Sequence, residues 1–425
     1  MNDREVSIKI LIDILENGSY NNISLRHNLL KHRNLNALSK ATITDIVNGV
    51  LRNIIHIDYI INKFSKTKTT KMDNLILYTM RSAVYEIFYT NTEHYAIVNE
   101  AVDIVKKKYK NLAPFMNGVL RNIIRNKNNI IYPSEKLEKI SLIYSTSMWI
   151  VEYLSTFLND SELISICSSS LVPPKISICI NTILTTKEDL VKILKDENVE
   201  VIEEDDNIYI YKTKNIAELN SFKNGLFHIM DENSINAIKE LSPNPNSIVY
   251  DLCAAPGGKS FYMAYLMKNK GKIYSTDIHK HKIDILKENA KRLKISIINA
   301  NICDISNPDT QDFKLKENFA DYVLLDAPCS GFGTLQKKPD IKYTKKIEDI
   351  YNLADLQKKL LNSASKYVKI GGRILYSTCT ISIEENQNNI KWFTNNFKYK
   401  LLKEKQYIPN GYNGDGFYTA LLERY

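Results

Sequence analysis

The chain contains no C-x-x-C pair: its six cysteines, Cys167, Cys179, Cys253, Cys303, Cys329 and Cys379, stand well apart. Neither a thiolate zinc site nor a redox dithiol is encoded, no metal is expected, and a reducing compartment would keep each thiol free. Long apolar runs are also missing. All are broken well short of a bilayer's thickness, and Met1-Asn-Asp-Arg-Glu-Val lacks the charged-then-apolar plan of a secretion signal. A cytoplasmic protein that stays off membranes is the expectation. Two glycine signatures are absent as well: the G-x-G-x-x-G of a nicotinamide oxidoreductase and the G-x-x-x-x-G-K-[ST] of a phosphate loop.

What is present is unevenly spread. At 425 residues the chain is too long for one ordinary core and implies two or three domains. Residues 1–130 carry 19 Lys and Arg against 11 Asp and Glu, whereas the remainder carries 38 against 37. A basic first third beside a near-neutral remainder suggests that the first third meets a polyanion, because phosphate contacts dominate nucleic-acid affinity. A merely soluble basic surface would look the same.

From Val6 to about Ile124 apolar residues recur at three- and four-residue spacing, as in Ile8, Leu11, Ile12 and Leu15, which predicts an all-helical domain. It contains one internal repeat, Asn48-Gly-Val-Leu-Arg-Asn-Ile-Ile55 and Asn117-Gly-Val-Leu-Arg-Asn-Ile-Ile124. Two copies are too few for a solenoid. The polar stretch 128–140 reads as a linker. After a helix near Met148–Phe157 comes a small α+β region: a strand at Ile176–Asn181, a helix at Lys187–Lys195, and strands at 199–202 and 208–211.

From Ser234 onward strands and helices alternate, with strands at Ile248–Asp251, Ile273–Asp277, Ile295–Ala300, Tyr322–Leu325, Ile374–Ser377 and Tyr418–Leu422. This predicts a doubly wound α/β domain on a parallel sheet, with Asp251, Asp277, Asp304 and Asp326 at one edge. The first unit runs Asp251-Leu-Cys-Ala-Ala-Pro-Gly-Gly-Lys259, a strand, a glycine turn and a fresh helix. The turn lets a ligand approach the backbone. Asp277 ends the second strand where an acid grips ribose hydroxyls, so a nucleoside without a pyrophosphate is favoured.

Cys329 and Cys379 both follow strand ends beside a turn, where functional side chains are displayed. Cys167 and Cys253 read more simply as small buried hydrophobes. Two thiols, a carboxylate and a nucleoside pocket suit methyl transfer to a carbon that is not nucleophilic by itself, such as C5 of cytosine. A thiolate adding at C6 makes C5 nucleophilic, and thiolate is also a competent leaving group.

The motifs Asp251 to Lys259, Asp277, Cys303-Asp304, Asp326-Ala-Pro-Cys329-Ser-Gly, Pro339-Asp340-Ile-Lys342, Ser377-Thr-Cys379-Thr with Glu384-Glu385-Asn386, and Gly414-Asp-Gly-Phe417 together resemble the S-adenosylmethionine-dependent RNA cytosine-5 methyltransferases. Segments 41–53, 94–102 and 115–122 resemble the NusB-type RNA-binding helical fold, a combination seen in ribosomal RNA enzymes of the RsmB (Sun, Fmu) type. The resemblance implies a NusB-like helical domain at 1–127, the linker at 128–140, a small α+β, RRM-like subdomain at 141–228 and a Rossmann-like methyltransferase domain at 229–425. It implies that Cys379 is the nucleophile and Cys329 assists release, with Asp326 and Lys259 at the cytosine ring. Cys253, Ala254, Ala255, Pro256, Gly257, Gly258 and Lys259 would wrap the methionine part of the cofactor. Asp277 would hold the ribose, Asp304 would lie near the adenine, and Asp326 would border both ligands. Gly49 and Gly118 would permit close helix contact, and Arg52 and Arg121 would be cap, core-edge or RNA-facing. Lys337, Lys338 and Lys342 would hold RNA phosphates or be plain surface.

The chain departs from that pattern at Cys179, where an arginine is usual, at Met230, where glutamine is common, and at Tyr144-Ser-Thr-Ser147. The implied partner is 16S ribosomal RNA, with the target base flipped or single-stranded, and a monomer is expected. Transfer RNA as substrate is the nearer rival. An amino methyltransferase would want a Pro-Pro-aromatic turn after Asp326, and a non-catalytic RNA-binding or antitermination factor would show decay of the cofactor acids or of Cys379.

Overall fold

The structure, a computed structural model, describes residues 2–19, 21–32, 35–204, 207–211, 215–307, 313–410 and 414–425. The chain divides into two compact units, one formed by Met1–Val172 with Leu335–Thr344 and the other by Pro173–Thr334 with Lys345–Tyr425. Among the described residues no helix is long and apolar enough to cross a membrane.

The first unit is helical, as its 3.6-residue apolar period requires. Asn2 caps the first helix, Asp3–Leu15, in a reciprocal box with Glu5. The long helix Ala37–Phe64 buries Ile43, Val47, Val50, Ile57 and Ile61 against Asp3–Leu15, Asn74–Tyr89 and Ala113–Arg125. The repeated octapeptides lie in Ala37–Phe64 and Ala113–Arg125, yet their environments differ. At Gly49 a Cβ would sit 1.9 Å from Cζ of Tyr85, so glycine is obligatory there, whereas at Gly118 it would meet nothing within 4 Å. Close approach is therefore confirmed for the first glycine and corrected for the second. Likewise Arg52 is half-buried, while Arg121 is exposed and donates along its own helix, to Asn117.

Leu335–Thr344 completes this helical unit. Lys342 is fully buried, its Nζ donating to the Arg52 carbonyl at 2.9 Å and to Ser170 Oγ at 3.3 Å. The Tyr144–Ser147 turn receives the segment, Ser147 Oγ donating to the Lys342 carbonyl at 2.5 Å. This corrects the expectation that Lys342 faces RNA: only Lys337 and Lys338 of that basic run are exposed. Burial pulls the Lys342 pKa down to about 7.

The second unit holds two sheets among the described residues. Strands β1 (Ile176–Ile180), β2 (Glu200–Glu204), β3 (Asn207–Tyr211) and β4 (Phe227–Ile229) form an antiparallel sheet in the order β2-β3-β1-β4. Strands β5 (Ile248–Asp251), β6 (Lys272–Asp277), β7 (Ile298–Ile302), β8 (Ala320–Asp326), β9 (Val368–Thr378), β10 (Tyr399–Tyr407) and β11 (Phe417–Arg424) form the larger sheet, ordered β10-β11-β9-β8-β5-β6-β7. Order reverses at β5, and that switch point opens a crevice at the strands' carboxyl ends. Val249, Ile273, Leu324 and Leu375 are buried on one side of this sheet, and Val323, Ile374 and Tyr418 belong to the core on the other.

Several expectations are corrected. The sheet is mixed rather than parallel, because β11 runs antiparallel to β9 and β10 antiparallel to β11. A short connection between β10 and β11 permits only a reversal. The charged β10 is an edge strand whose exposed residues hide the alternation that marks a strand, and β4 is too short to show one. The helices Met148–Ser155 and Asp160–Ser169 belong to the helical unit, the helix Lys136–Ile143 begins inside the stretch 128–140 expected as linker, and the small sheet joins the α/β unit. Asn181 Nδ2 donates to the Gly225 and Leu293 carbonyls, both at 2.9 Å, and Arg292 reaches the Phe222 and Phe227 carbonyls while stacking on the Phe222 ring. These bonds fix the two sheets together.

Candidate active site

Strands β8 and β9 are parallel neighbours with Asp326 opposite Ser377. Each runs on into a turn, so residues a few positions past the shared edge meet: Cys329 Sγ and Cys379 Sγ are 3.2 Å apart. Ala327 N–H donates to the Ser377 carbonyl at 2.9 Å and Gly333 N–H to the Cys379 carbonyl at 3.1 Å, closing one turn over the other. Gly333 also packs on Gly416, where a Cβ would lie 1.8 Å from the Gly416 carbonyl oxygen. That contact gives the Gly414-Asp-Gly motif its place against the cysteine loop.

Asp326 is the hub beside the thiols. Its Oδ2 accepts from Lys259 Nζ at 2.7 Å and its Oδ1 from Ser377 Oγ at 2.7 Å. Lys259 comes from the first turn of the helix Gly258–Leu266, and its Nζ lies 5.2 Å from the centre of the Phe417 ring. Burial works against the ammonium, but the Asp326 carboxylate and the Cys379 sulfur outweigh it and raise its pKa, so Lys259 stays charged. A fixed positive charge therefore sits among Asp326, Cys379 and an aromatic face. Cys329, half-buried and hydrogen-bonded to Cys379, has its thiol pushed well up by that contact and by desolvation, with Glu385 and Asp326 adding to the shift. Either sulfur can be the donor in that contact.

The glycine turn follows β5. Gly257 has φ +111°, and a Cβ there would come within 2.4 Å of Phe261 Cζ and 2.8 Å of Leu286 Cγ. Asp251 is buried, and burial lifts its carboxyl to about 7. Its Oδ2 accepts from Ser260 Oγ at 2.5 Å, while Oδ1 is buried with no partner among the described residues. Asp277, at the end of β6, accepts from the His279 N–H at 2.9 Å, and Asp304 from Ser306 N–H and Oγ at 2.9 and 2.6 Å. The thiol of Cys253 lies within the field of all four acids, Asp251, Asp326, Asp277 and Asp304, which together with burial raise its pKa well above the usual range. The sequence-predicted set is thus gathered at one edge of one sheet, with Ala254, Ala255 and Pro256 in the turn between β5 and the helix that Gly258 opens. The orphaned Asp251 oxygen and the glycine cradle fit a ligand bearing an amine and a nucleoside.

Cys167, Cys179 and Cys303 are buried. Cys179 and Met230 are both buried in the same core of the second unit, so the position where an arginine is usual is apolar here. Sequence reasoning missed Ile278, 57 % exposed beside Asp277, and Ile302, 44 % exposed and paired with Asp277 across β6 and β7. Exposed isoleucines at a sheet's ligand edge were the available signal. It also missed Gln357, a buried glutamine within the stripe Ile350, Ala354, Leu361, Ala364 of the helix Ile347–Tyr367. Polar interruption of an apolar stripe was the mark it left.

Residues 238–423 match the family model described as 16S rRNA methyltransferase RsmB/F, and residues 1–125 match that of the NusB family. The chain is 33 % identical to the probable ribosomal RNA small subunit methyltransferase B of Bacillus subtilis, covering 99 % of this chain and 98 % of that one. It is 27 % identical to ribosomal RNA small subunit methyltransferase B of Proteus mirabilis, over 100 % and 99 % of the two chains. The crystal structure of PH0851 superposes with a TM-score of 0.81 at 28 % identity, over 100 % of this chain and 99 % of that one.

Proposed function

The chain belongs to the ribosomal RNA small subunit methyltransferase B family, and from that premise we propose that it methylates C5 of a cytidine in 16S ribosomal RNA, using S-adenosylmethionine and a covalent bond between Cys379 and C6. The observation that carries this reading is the Cys329–Cys379 sulfur pair set beside the Lys259–Asp326 ion pair. S-adenosylmethionine supplies an electrophilic methyl group when bound. Asp277 would hold its ribose hydroxyls, Asp304 would lie toward its adenine, and the Cys253–Lys259 turn, with Asp326 at its border, would wrap its methionine part.

The chain's own groups do the rest. Lys259 and Cys329 stabilise an anionic Cys379 sulfur, which attacks C6 of the flipped cytosine. Charge that develops at N3 is met by the Lys259 ammonium that Asp326 holds in place. C5, now enamine-like, takes the methyl group. The Cys329 sulfur, as thiolate, takes the C5 proton, which restores the C5–C6 double bond and expels Cys379 as thiolate.

The test is a denaturing gel for a protein–RNA adduct. Cys329→Ala with small-subunit ribosomal RNA and S-adenosylmethionine should accumulate an adduct that is absent from Cys329→Ala/Cys379→Ala. No adduct, together with full methylation by Cys379→Ala, would sink the thiol mechanism. An adduct formed with transfer RNA in preference would keep the chemistry and reassign the substrate.

A further inference from the structure

We propose that Glu385 is a positioning residue, whose carboxylate ties the turn carrying Cys329 to the turn carrying Cys379 and so sets the spacing of their sulfurs. The proposal rests on the thiol reading above.

Glu385 is fully buried, and among the described residues no lysine or arginine pairs with it. Burying an unpaired carboxylate is costly unless hydrogen bonds replace its hydration, and here, beside Ser382, the replacements come from groups that hold the cysteine turns. Oε2 accepts from the Ser330 N–H at 2.9 Å and from Gln357 Nε2 at 2.9 Å, and Oε1 accepts from Ser330 Oγ at 2.5 Å. Ser330 follows Cys329. Its hydroxyl has one hydrogen, spent on Glu385, so the 2.8 Å contact with Thr380 Oγ1 must have Thr380 as donor. Thr380 follows Cys379. The carboxylate thus reaches one cysteine's turn directly and the other's through a single hydroxyl.

The other side of Cys329 is fixed by the same cluster. Gln357 Oε1 accepts from Asn389 Nδ2 at 2.9 Å, which forces its Nε2 toward Glu385 and the Pro328 carbonyl, 2.8 Å away. Cys329 is therefore held through Pro328 before it and Ser330 after it. The Glu385 backbone is itself anchored, its carbonyl accepting from Tyr376 OH at 2.7 Å on β9. Burial raises the Glu385 pKa, while hydrogen bonds from Ser330, Gln357 and Ser382 oppose the shift.

Glu385→Ala should lower kcat on the order of 100-fold, the cost of misplacing a reacting group by about 1 Å, with KM for RNA and for S-adenosylmethionine within about twofold. It should also accumulate a Cys379–RNA adduct as Cys329→Ala does, because release needs Cys329 in place. Glu385→Gln can turn its amide nitrogen toward Ser330 Oγ and keep the other bonds, so it should restore kcat to within about fivefold. Should Glu385→Ala melt far below the parent, Ser330→Ala carries the same expectation with a smaller deletion. Unchanged kcat without adduct, or a loss confined to KM, overturns the proposal. Cys329→Ala run alongside separates the two readings. If it gives no adduct, the thiol mechanism fails and the kcat against KM split alone judges Glu385; if it gives adduct while Glu385→Ala does not, the positioning role fails.

Discussion

Cys329 and Cys379 are separated by fifty positions in sequence and by 3.2 Å at their sulfurs, because the strands that deliver them are parallel neighbours in register. That spacing is testable without substrate. A trivalent arsenical with two exchangeable oxygens should bridge the pair, giving one tightly held equivalent and loss of methylation that a small dithiol reverses. Cys329→Ala and Cys379→Ala should each abolish the tight binding, measured by mass spectrometry. Retention in either variant would place the bridged thiols elsewhere.

The Lys259–Asp326 pair is expected to act on the transition state more than on binding. Asp326→Asn should reduce kcat by roughly 100- to 1000-fold, the range for loss of one preorganised electrostatic group, with a far smaller change in RNA affinity by filter binding. A loss of RNA affinity with kcat intact would remove Asp326 from the chemistry.

Gly257 is expected to report on the cofactor alone. Its φ of +111° and the 2.4 Å approach of Phe261 make Gly257→Ala strained, so S-adenosylhomocysteine affinity by calorimetry should fall by at least about tenfold, a change of about 1.4 kcal/mol. Melting of the helical unit should be unaffected. Unaltered affinity would show that the turn does not cradle the ligand.

The two repeat glycines should respond in opposite directions. Gly49→Ala forces a methyl into the Tyr85 ring and should destabilise by about 1–3 kcal/mol or more. Gly118→Ala adds a methyl to an open helix position and should stabilise by about 0.5–1 kcal/mol. Urea denaturation of the two variants decides it, and equal effects would contradict the packing.

Lys342 gives a pH dependence with a definite sign. Its folded pKa of about 7 lies below the ordinary 10.5, so between those values the unfolded chain holds a proton that the folded chain has released. Stability contributed by this site therefore rises with pH across that window, and its cost is greatest below about pH 7. The groups facing it are Arg52 and Cys167. Lys342→Met should gain most over the parent near pH 7 and lose that advantage near pH 10. A difference independent of pH would show that Lys342 is buried as a charged group.

Much of this was legible in the sequence where a residue's chemistry and its local period agree. Asp251, Asp277 and Asp326 end strands that alternation and β-branched content already marked, and the adjacent glycines named their turn. What stayed hidden depended on distant partners. Nothing near Gly49 and Gly118 distinguishes them, since the difference is Tyr85 on another helix. Glu385 stands in the motif Glu384-Glu385-Asn386, but what its carboxylate holds stays hidden until Ser330 and Gln357 are brought to it. Lys342 sits in a basic run that looks solvated, and only tertiary packing turns it inward. β10 was missed because an edge strand keeps its charge.

The insertion of Leu335–Thr344 into the helical unit also orders events during synthesis. Residues 1–172 leave the ribosome long before this segment exists, so the helical unit emerges with the seat of Lys342 empty and the Ser147 and Ser170 hydroxyls without their later partner. It becomes whole only when the chain has been made through both the Cys329 turn and Thr344. A fragment ending at Val172 is then a different object from the same residues in the finished chain, and a nascent protein has its helical unit finished only after half of its thiol pair has been made.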